Sequence, residues 1–132
     1  MPPAARAFHA AFPNLYFGVT GFITFSGAAA TRAALSSGAI PLSRLVLETD
    51  GPHMLPELKR GGSGSDRGGQ GGRGRGRGGR GGKRRGGGRG VCHPGHIPGV
   101  AEGVARAIGR ADVTAAHVLA TTRQNTRALY GV

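Results

Sequence analysis

The chain has 132 residues, and its 18 basic side chains outnumber six acidic ones to give a formal net charge of +12. Its single cysteine excludes an internal disulfide, and no apolar run approaches the roughly 18 residues of a membrane span. The N-terminal residues lack the apolar core of a signal peptide, so we expect a cytoplasmic or nuclear protein without membrane contact.

The first two predicted elements are a helix and a strand. Residues 3–12 are rich in alanine, and Phe8 and Phe12 lie on one face of the helix that we predict there. Residues 15–25 are dense in aromatic and β-branched side chains and almost uncharged, which favours a strand buried on both faces. Within this strand, Gly18 and Gly21 indicate that another group approaches the backbone closely.

A second helix and a second strand follow in the sequence. Residues 27–37 favour a helix that ends at Gly38, and residues 45–50 favour a buried strand. Strand, helix and strand in this order predict two parallel strands joined by a right-handed crossover. The fold class is therefore α/β.

Two carboxylates close the second predicted strand. Because side chains alternate along a strand, Val46, Glu48 and Asp50 are predicted to share one face. The dipeptide Gly51-Pro52 ends the strand and leaves Asp50 at its carboxyl end. Ligands and catalytic groups gather at this end of parallel strands in α/β proteins, so the position predicts a functional role for Asp50.

Most of the positive charge lies in one insertion. Residues 59–90 contain 17 glycines and eleven basic residues, with Asp66 as the one acid, so this segment carries +10 of the formal net charge. Glycine and arginine in this proportion cannot form a packed core, and we predict a disordered loop. The rest of the chain is close to neutral.

Two helices are predicted after the insertion. Val100, Val104 and Ile108 recur at every fourth residue and indicate one amphipathic helix. Residues 114–130 form a second helical pattern, which ends at Gly131. The chain is thus predicted to be a strand–helix–strand unit followed by packing helices.

Four stretches of the sequence resemble the TatD-type metal-dependent hydrolases, also called TatD DNases. They are YFGVTGFITF, IPLSRLVLETDGP, CHPGHIPGVAEGVA and TTRQNTRALYGV, and they follow one another in the order of that family's C-terminal end. The phrase that contains ETD is fairly specific, and the helical endings support it. The resemblance covers residues 15–56 and 91–132.

The family folds as a (β/α)8 TIM barrel, and the resemblance implies that this chain corresponds to about the last two strand–helix units of one. Residues 1–58 would supply strand 7, a helix and strand 8, residues 59–90 a disordered insertion, and residues 91–132 the C-terminal helices. A whole barrel needs about 250 residues. The chain by itself is therefore expected to be incomplete as an enzyme and inactive.

The resemblance also implies a reaction and a metal site. Family members hydrolyse phosphodiester bonds of DNA at a site for two divalent metal ions, Mg²⁺, Mn²⁺ or Zn²⁺. The ligands are an HxH pair, a Glu, two further His and the Asp of the ETD phrase. Of these only the Asp has a counterpart here, at Asp50, because the sixth-strand His would lie before Met1. His53 stands where the family often has tyrosine, which makes it a candidate at the mouth of the site.

Asp50 has two interpretations. As a metal ligand, or as the base that accepts a proton from water, it would use a short side chain on a rigid strand end, while Glu48 would orient ligands from a deeper position. Alternatively, both acids make only the hydrogen bonds of a strand-end turn. The family phrase favours the metal role for Asp50.

The insertion predicts binding to DNA or RNA, particularly single strands. It contains five RGG triplets, and arginine pairs with phosphates and stacks on exposed bases with little sequence preference. No Phe or Tyr is interleaved, so electrostatic attraction would dominate. A low-complexity linker with incidental binding is the alternative. The candidate nucleic-acid-binding residues are Arg60, Arg67, Arg73, Arg75, Arg77, Arg80, Arg84, Arg85 and Arg89.

A zinc site near the single cysteine is disfavoured by spacing. Cys92 and His93 are adjacent, whereas structural zinc ligands commonly form two separated pairs, so His53, His93 and His96 are better explained as loop residues. Two functions remain open: part of a metal-dependent nuclease, or a catalytically inactive barrel remnant that binds nucleic acid through its RGG segment.

Overall fold

The computed structural model of the chain describes residues 3–57 and 90–132. The described residues belong to one unit, built from α-helices, two short β-strands and several 3-10 turns. The predicted insertion lies outside the described residues except for Gly90, and so do all five RGG triplets. The main elements are α1 (Pro3–Ala11), β1 (Phe17–Val19), α2 (Ala29–Ser36), β2 (Leu45–Leu47), α3 (Ile97–Ile108) and α4 (Ala115–Tyr130).

The two strands form a parallel sheet, as the order of strand, helix and strand predicts. Phe17 pairs with Leu45, and the register continues to Val19 opposite Leu47. The ladder extends one residue beyond β2, because the Glu48 amide donates to the Val19 carbonyl at 3.0 Å. Parallel pairing places the carboxyl ends of both strands at one edge of the sheet, where Glu48 follows β2.

Both strands are shorter than the sequence pattern predicts. The prediction of a strand over residues 15–25 is wrong beyond Val19, because the Thr20 hydroxyl accepts from the Phe22 amide and caps a 3-10 turn over Gly21–Thr24. A hydroxyl that captures a nearby backbone amide competes with the strand ladder. A second 3-10 turn, Ser26–Ala28, leads directly into α2.

Arg32 orders this irregular connection from within α2. Its guanidinium donates to the carbonyls of Ile23 at 3.2 Å, Phe25 at 2.6 Å and Ser26 at 3.1 Å. Three carbonyls of this connection therefore gain a charged donor, which makes stronger hydrogen bonds than a neutral one, and the Phe25 carbonyl also accepts from the Ala28 amide at 3.1 Å.

The helices agree closely with their predicted positions. The residues predicted to end α2 and α4, Gly38 and Gly131, both have φ of +70°, a conformation that glycine adopts without steric cost. Thr114 caps α4 by accepting from the His117 amide at 3.2 Å. None of the helices in residues 3–57 and 90–132 is long and apolar enough to cross a membrane.

The apolar core lies on one side of the sheet. Leu45 of β2, Val100 and Val104 of α3 and Val118 of α4 are completely buried. At Gly103 a side chain would meet the Ile23 side chain at 2.7 Å, so α3 packs closely over the turn that follows β1. The helices α2, α3 and α4 thus cover the face of the sheet that carries Leu45 and Val19.

The opposite face of the sheet is open among the described residues. Gly18 and Glu48 are exposed and Val46 is half-buried. The prediction that β1 is buried on both faces is therefore wrong for this unit. The reason is that the packing helices lie on the other face, and no described element covers Gly18.

Asn125 fastens α4 to the start of β2. Its buried side-chain amide donates to the Leu42 carbonyl at 2.9 Å and to the Leu45 carbonyl at 2.8 Å. A buried amide with both hydrogen bonds made fixes the position and the direction of the segment that it binds, because each hydrogen bond requires a defined geometry. The strand that leads to the predicted site is thus anchored at its beginning.

Candidate functional site

The turn after β2 carries the predicted Asp50. The Asp50 backbone has φ of +50°, in the left-handed region, and the His53 amide donates to the Asp50 carbonyl at 2.9 Å to close the turn. Asp is one of the few residues other than glycine that is enriched in this region, although the conformation is less favourable than an extended one. The carboxylate is exposed at the end of the strand.

The left-handed turn corrects one sequence prediction. Residues 45–50 were predicted to be one strand, with Asp50 on the face of Val46 and Glu48, but β2 ends at Leu47. The alternation of side chains applies only to extended backbone, so it does not extend to Asp50. The turn, not the strand, determines where this carboxylate lies.

Glu48 lies across the exposed face of β1. A Cβ atom at Gly18 would be 2.9 Å from Glu48 Oε1 and 3.2 Å from its carboxyl carbon, so the carboxylate rests directly on the glycine backbone. The predicted close approach at Gly18 is therefore confirmed. Glycine at this position lets a carboxylate from the neighbouring strand lie flat over the sheet.

The loop after β2 packs against the turn after β1. A Cβ atom at Gly21 would collide with the Met54 carbonyl, which confirms the close approach predicted there. The Thr24 hydroxyl donates to the Gly21 carbonyl and accepts from the Glu57 amide, both at 2.7 Å. The two connections that leave the carboxyl ends of the strands are consequently joined to each other.

The segment that follows the insertion in the sequence also packs at the carboxyl ends of the strands. Cys92 is 3% exposed, its thiol donates to the Thr49 carbonyl at 3.2 Å, and its amide donates to the Pro52 carbonyl at 3.1 Å. From the sequence, Cys92 is only a single thiol that lacks a disulfide partner and has poor spacing for a zinc site. Its contact with Thr49 spans 43 residues, so no local pattern identifies it.

The neighbouring histidines cap a 3-10 turn, Pro94–His96, that leads directly into α3. Nδ1 of His93 accepts from the Gly95 amide, and Nδ1 of His96 accepts from the His93 amide, each at 3.1 Å. Their rings lie 4.1 Å apart between centroids. The sequence predicted loop residues here and missed the reciprocal cap, whose signal is the spacing of three residues before an apolar helical run.

His53, predicted to lie at the mouth of the site, has an exposed side chain in the turn after Asp50. Within residues 3–57 and 90–132, no group of three or more His, Cys, Asp or Glu side chains is arranged to hold a metal ion. The described part of the chain therefore presents Asp50 and Glu48 at the strand ends without a complete set of metal ligands.

The ion pair of Arg110 and Asp112 lies in the connection between α3 and α4. Arg110 donates to the two carboxylate oxygens at 3.1 and 2.7 Å. This hydrogen bond holds the pKa of the Asp112 carboxyl below its usual value and raises the pKa of Arg110. Both side chains are well exposed, so the solvent screens their attraction.

A cavity of about 600 Å³ lies beside the segment that leads into β2. The end of α2, the end of α3 and the first half of α4 contribute its walls, including Leu35, Ile108 and His117. Neither Asp50 nor Glu48 nor His53 lines it. This cavity and the predicted site are thus separate features.

Comparison with known proteins gives two similarities. The family described as TatD related DNase matches residues 3–131 of this chain. The protein named 3'-5' RNA nuclease TATDN2 from Homo sapiens is 47% identical over 45 residues, which are 34% of this chain. That match spans only 6% of the human protein, so the similarity concerns a small part of it.

Proposed function

Because the chain belongs to the TatD related DNase family, we propose that it forms part of a metal-dependent nuclease, a hydrolase of phosphodiester bonds. The observation that carries the proposal is Asp50, an exposed carboxylate held by a closed turn where β2 ends. This residue is the Asp of the ETD phrase, whose family counterpart is a metal ligand.

We assign residues 1–58 and 91–132 to the last two strand–helix units of a (β/α)8 barrel. The parallel pair β1 and β2 with helices on one face supports this assignment, since barrel strands carry their helices on the outer face. The open face with Gly18, Val46 and Glu48 would then be the interior of the barrel. Residues 59–90 would be an insertion in the loop that follows its eighth strand.

Asp50 and Glu48 carry the oxygen ligands that Mg²⁺ and Mn²⁺ prefer. Since the described residues bring together no group of three ligands, we propose that Asp50 supplies one ligand of a site that other residues complete. A divalent ion held there would polarise a phosphate and make a bound water more acidic. Asp50 would hold the ion or accept the proton of the water, and Glu48, which lies against Gly18, would orient neighbouring ligands.

The substrate we propose is DNA, because the family to which the chain belongs is described as TatD related DNase. A carboxylate–metal site acts on the phosphodiester bond, which DNA and RNA share, so the described residues favour neither sugar. Discrimination between DNA and RNA would come from contacts to the 2'-hydroxyl of RNA. Cleavage assays with a DNA strand and an RNA strand of the same sequence therefore decide the substrate.

A second candidate function is nucleic-acid binding through the insertion. Its net charge of +10 would release counterions from a phosphate backbone, which gives salt-sensitive binding with little sequence preference. The nine arginines from Arg60 to Arg89 would make these contacts. This activity does not require Asp50, so the two candidate functions are separable by mutation.

The test of the hydrolytic function uses a chimera in which residues 1–132 replace the C-terminal part of a full-length family member. We expect chelator-sensitive cleavage of labelled DNA by the chimera and little or none by the 132-residue chain. Asp50→Asn removes the charge and the proton acceptor but keeps the side-chain shape, so turnover should fall by about 100-fold or more. The control Asp112→Asn neutralises an exposed acid far along the chain and should leave turnover unchanged.

Two results would refute different parts of the proposal. One is full activity of the Asp50→Asn chimera, which would leave Asp50 with no role in the reaction. A different result, robust and chelator-sensitive cleavage by the purified 132-residue chain, would instead refute the assignment of the chain as an incomplete part of a barrel, because it would show a complete site without the barrel's other ligands.

The test of the second function compares three forms of the chain in binding to a single-stranded DNA. Deletion of residues 59–90 should abolish most of the affinity at low salt. A control variant keeps the length of the insertion but has serine in place of each arginine. It should bind as weakly as the deletion variant. Equal affinity of the deletion and the wild type would show that the charge of the insertion does not drive binding.

A further inference from the structure

The segment that returns from the insertion, residues 90–93, holds the turn that carries Asp50. We call it the return segment. Its central residue, Cys92, contacts the turn on both sides of Asp50: the thiol donates to the Thr49 carbonyl at 3.2 Å, and the amide donates to the Pro52 carbonyl at 3.1 Å. The residue before Asp50 and the second residue after it are therefore fixed by one neighbour.

The fit between the return segment and the turn is close. A Cβ atom at Gly51 would lie 2.9 Å from the Cys92 carbonyl oxygen, so only glycine allows the observed approach. The thiol also points toward the Met54 carbonyl at 3.8 Å. Two of these contacts use the backbone of Cys92, so the return segment holds the turn through main chain and side chain together.

Asp50 needs such support because of its backbone conformation. A residue other than glycine at φ of +50° is less stable than in an extended conformation, and persists where surrounding contacts over-determine it. The carboxylate is exposed, so its own side chain does not fix the turn by burial. The contacts of Cys92 with Thr49 and Pro52 supply the constraint.

We propose that the return segment is a positioning clamp that sets the direction of the Asp50 carboxylate. The catalytic part of this inference rests on the proposed function of Asp50. The clamp acts through the turn and makes no contact with the reacting atoms, so Cys92 is a positioning residue. Through Cys92, the end of the insertion is connected to the strand end where hydrolysis is proposed.

The first test measures amide hydrogen exchange of the 132-residue chain. The His53 amide, which donates to the Asp50 carbonyl, reports opening of the turn, and the Val104 amide within α3 reports opening of the core. Cys92→Ala removes the thiol donor, and we expect about a three- to ten-fold rise in exchange at His53 relative to Val104. Cys92→Ser keeps a donor of similar size and should restore most of the protection.

Two further variants separate the clamp from general stability. Gly51→Ala places a methyl group against the Cys92 carbonyl and should open the turn without changing the thiol. Val118→Ala makes a cavity on the helix side of the sheet and should speed exchange at Val104 without a selective rise at His53. Unchanged relative exchange at His53 in both Cys92→Ala and Gly51→Ala would overturn the clamp, whatever the activity.

The second test measures turnover of the chimera. Cys92→Ala should lower kcat several-fold with little change in KM, Cys92→Ser should recover most of it, and Cys92→Ala should have no further effect when Asp50 is already Asn. An equal loss in both backgrounds would overturn positioning through Asp50. If Asp50→Asn alone has no effect, the proposed hydrolytic function fails, while the exchange result still decides whether the clamp exists.

Discussion

The helix side of the sheet and the strand ends are stabilised in different ways. On the helix side, completely buried side chains such as Leu45, Val100 and Val118 make a continuous apolar core. At the strand ends, Glu48 and Asp50 are exposed, and the turns are held by backbone hydrogen bonds and by glycines that admit close contacts. Stability is therefore concentrated on one side, and the groups available for chemistry on the other.

This division predicts opposite mutational profiles. Changes on the helix side should lower the free energy of unfolding and affect activity only through folding. Changes at the strand ends should alter the geometry of the carboxylates with a small effect on stability. Four substitutions, taken from the largest expected effect to the smallest, test the division.

Leu45→Ala should cause the largest loss of stability. The side chain is completely buried between the sheet and the helices, and truncating such a leucine typically costs about 2–5 kcal/mol because a cavity remains. Urea denaturation followed by circular dichroism measures the free energy of unfolding. Leu129→Ala, at a position that is 41% exposed, is the matched control and should cost much less; equal losses would deny that the core lies where we place it.

Asn125→Leu should cost about 1–3 kcal/mol. Leucine has a similar volume but leaves the carbonyls of Leu42 and Leu45 without their buried donor. The matched control is Gln124→Leu, which changes an exposed amide on the same helix. A stability of the Asn125 variant equal to that of the control would show that the two hydrogen bonds do not anchor β2.

Gly18→Ala should reduce stability by less than about 1 kcal/mol, because the new methyl group meets the end of a flexible side chain. It should nevertheless displace the Glu48 carboxylate, and in the chimera it should lower turnover more than its stability loss explains. At Gly27 a methyl group would meet only the Phe22 ring at 3.4 Å, so Gly27→Ala is the control. If Gly18→Ala leaves turnover unchanged, Glu48 has no role in the proposed site.

Asp112→Asn should have the smallest effect. Its carboxyl pKa is lowered in the folded state, so the ion pair with Arg110 contributes stability above the unfolded pKa of about 3.9, and this contribution is lost as the pH falls through the folded value. Because the pair is exposed, the variant should unfold at nearly the same urea concentration as the wild type at pH 7. A large difference at pH 7 that persists in acid would contradict an electrostatic origin.

The sequence predicts the helix side better than the strand ends, for a physical reason. The spacing of Val100, Val104 and Ile108 and the glycines at positions 38 and 131 are local signals, and the helices agree with them. The first strand is too long in the prediction because Thr20 captures a local amide, an outcome that propensity does not reveal. Burial on both faces was predicted from composition, which does not specify how many elements cover the sheet.

The candidate site likewise has features that the sequence predicts and features that it does not. The ETD phrase identifies Asp50 and Glu48 from local sequence, and Gly18 signals a close approach without naming its partner. The left-handed backbone at Asp50 does not follow from the alternation of a strand pattern, and the contact between Cys92 and Thr49 joins residues that are 43 positions apart. Such contacts exist only once the chain is folded, so single-sequence reasoning could not find them.

The central claim is that Asp50 is the residue through which this chain takes part in metal-dependent hydrolysis. The most direct test is the single-turnover rate of DNA cleavage by the chimera as a function of Mn²⁺ concentration, with wild-type Asp50 and with Asp50→Asn. We predict that the wild-type rate rises to a plateau and that the variant either needs far more Mn²⁺ or reaches a plateau at least about 100-fold lower. Superimposable curves for the two proteins would contradict the claim.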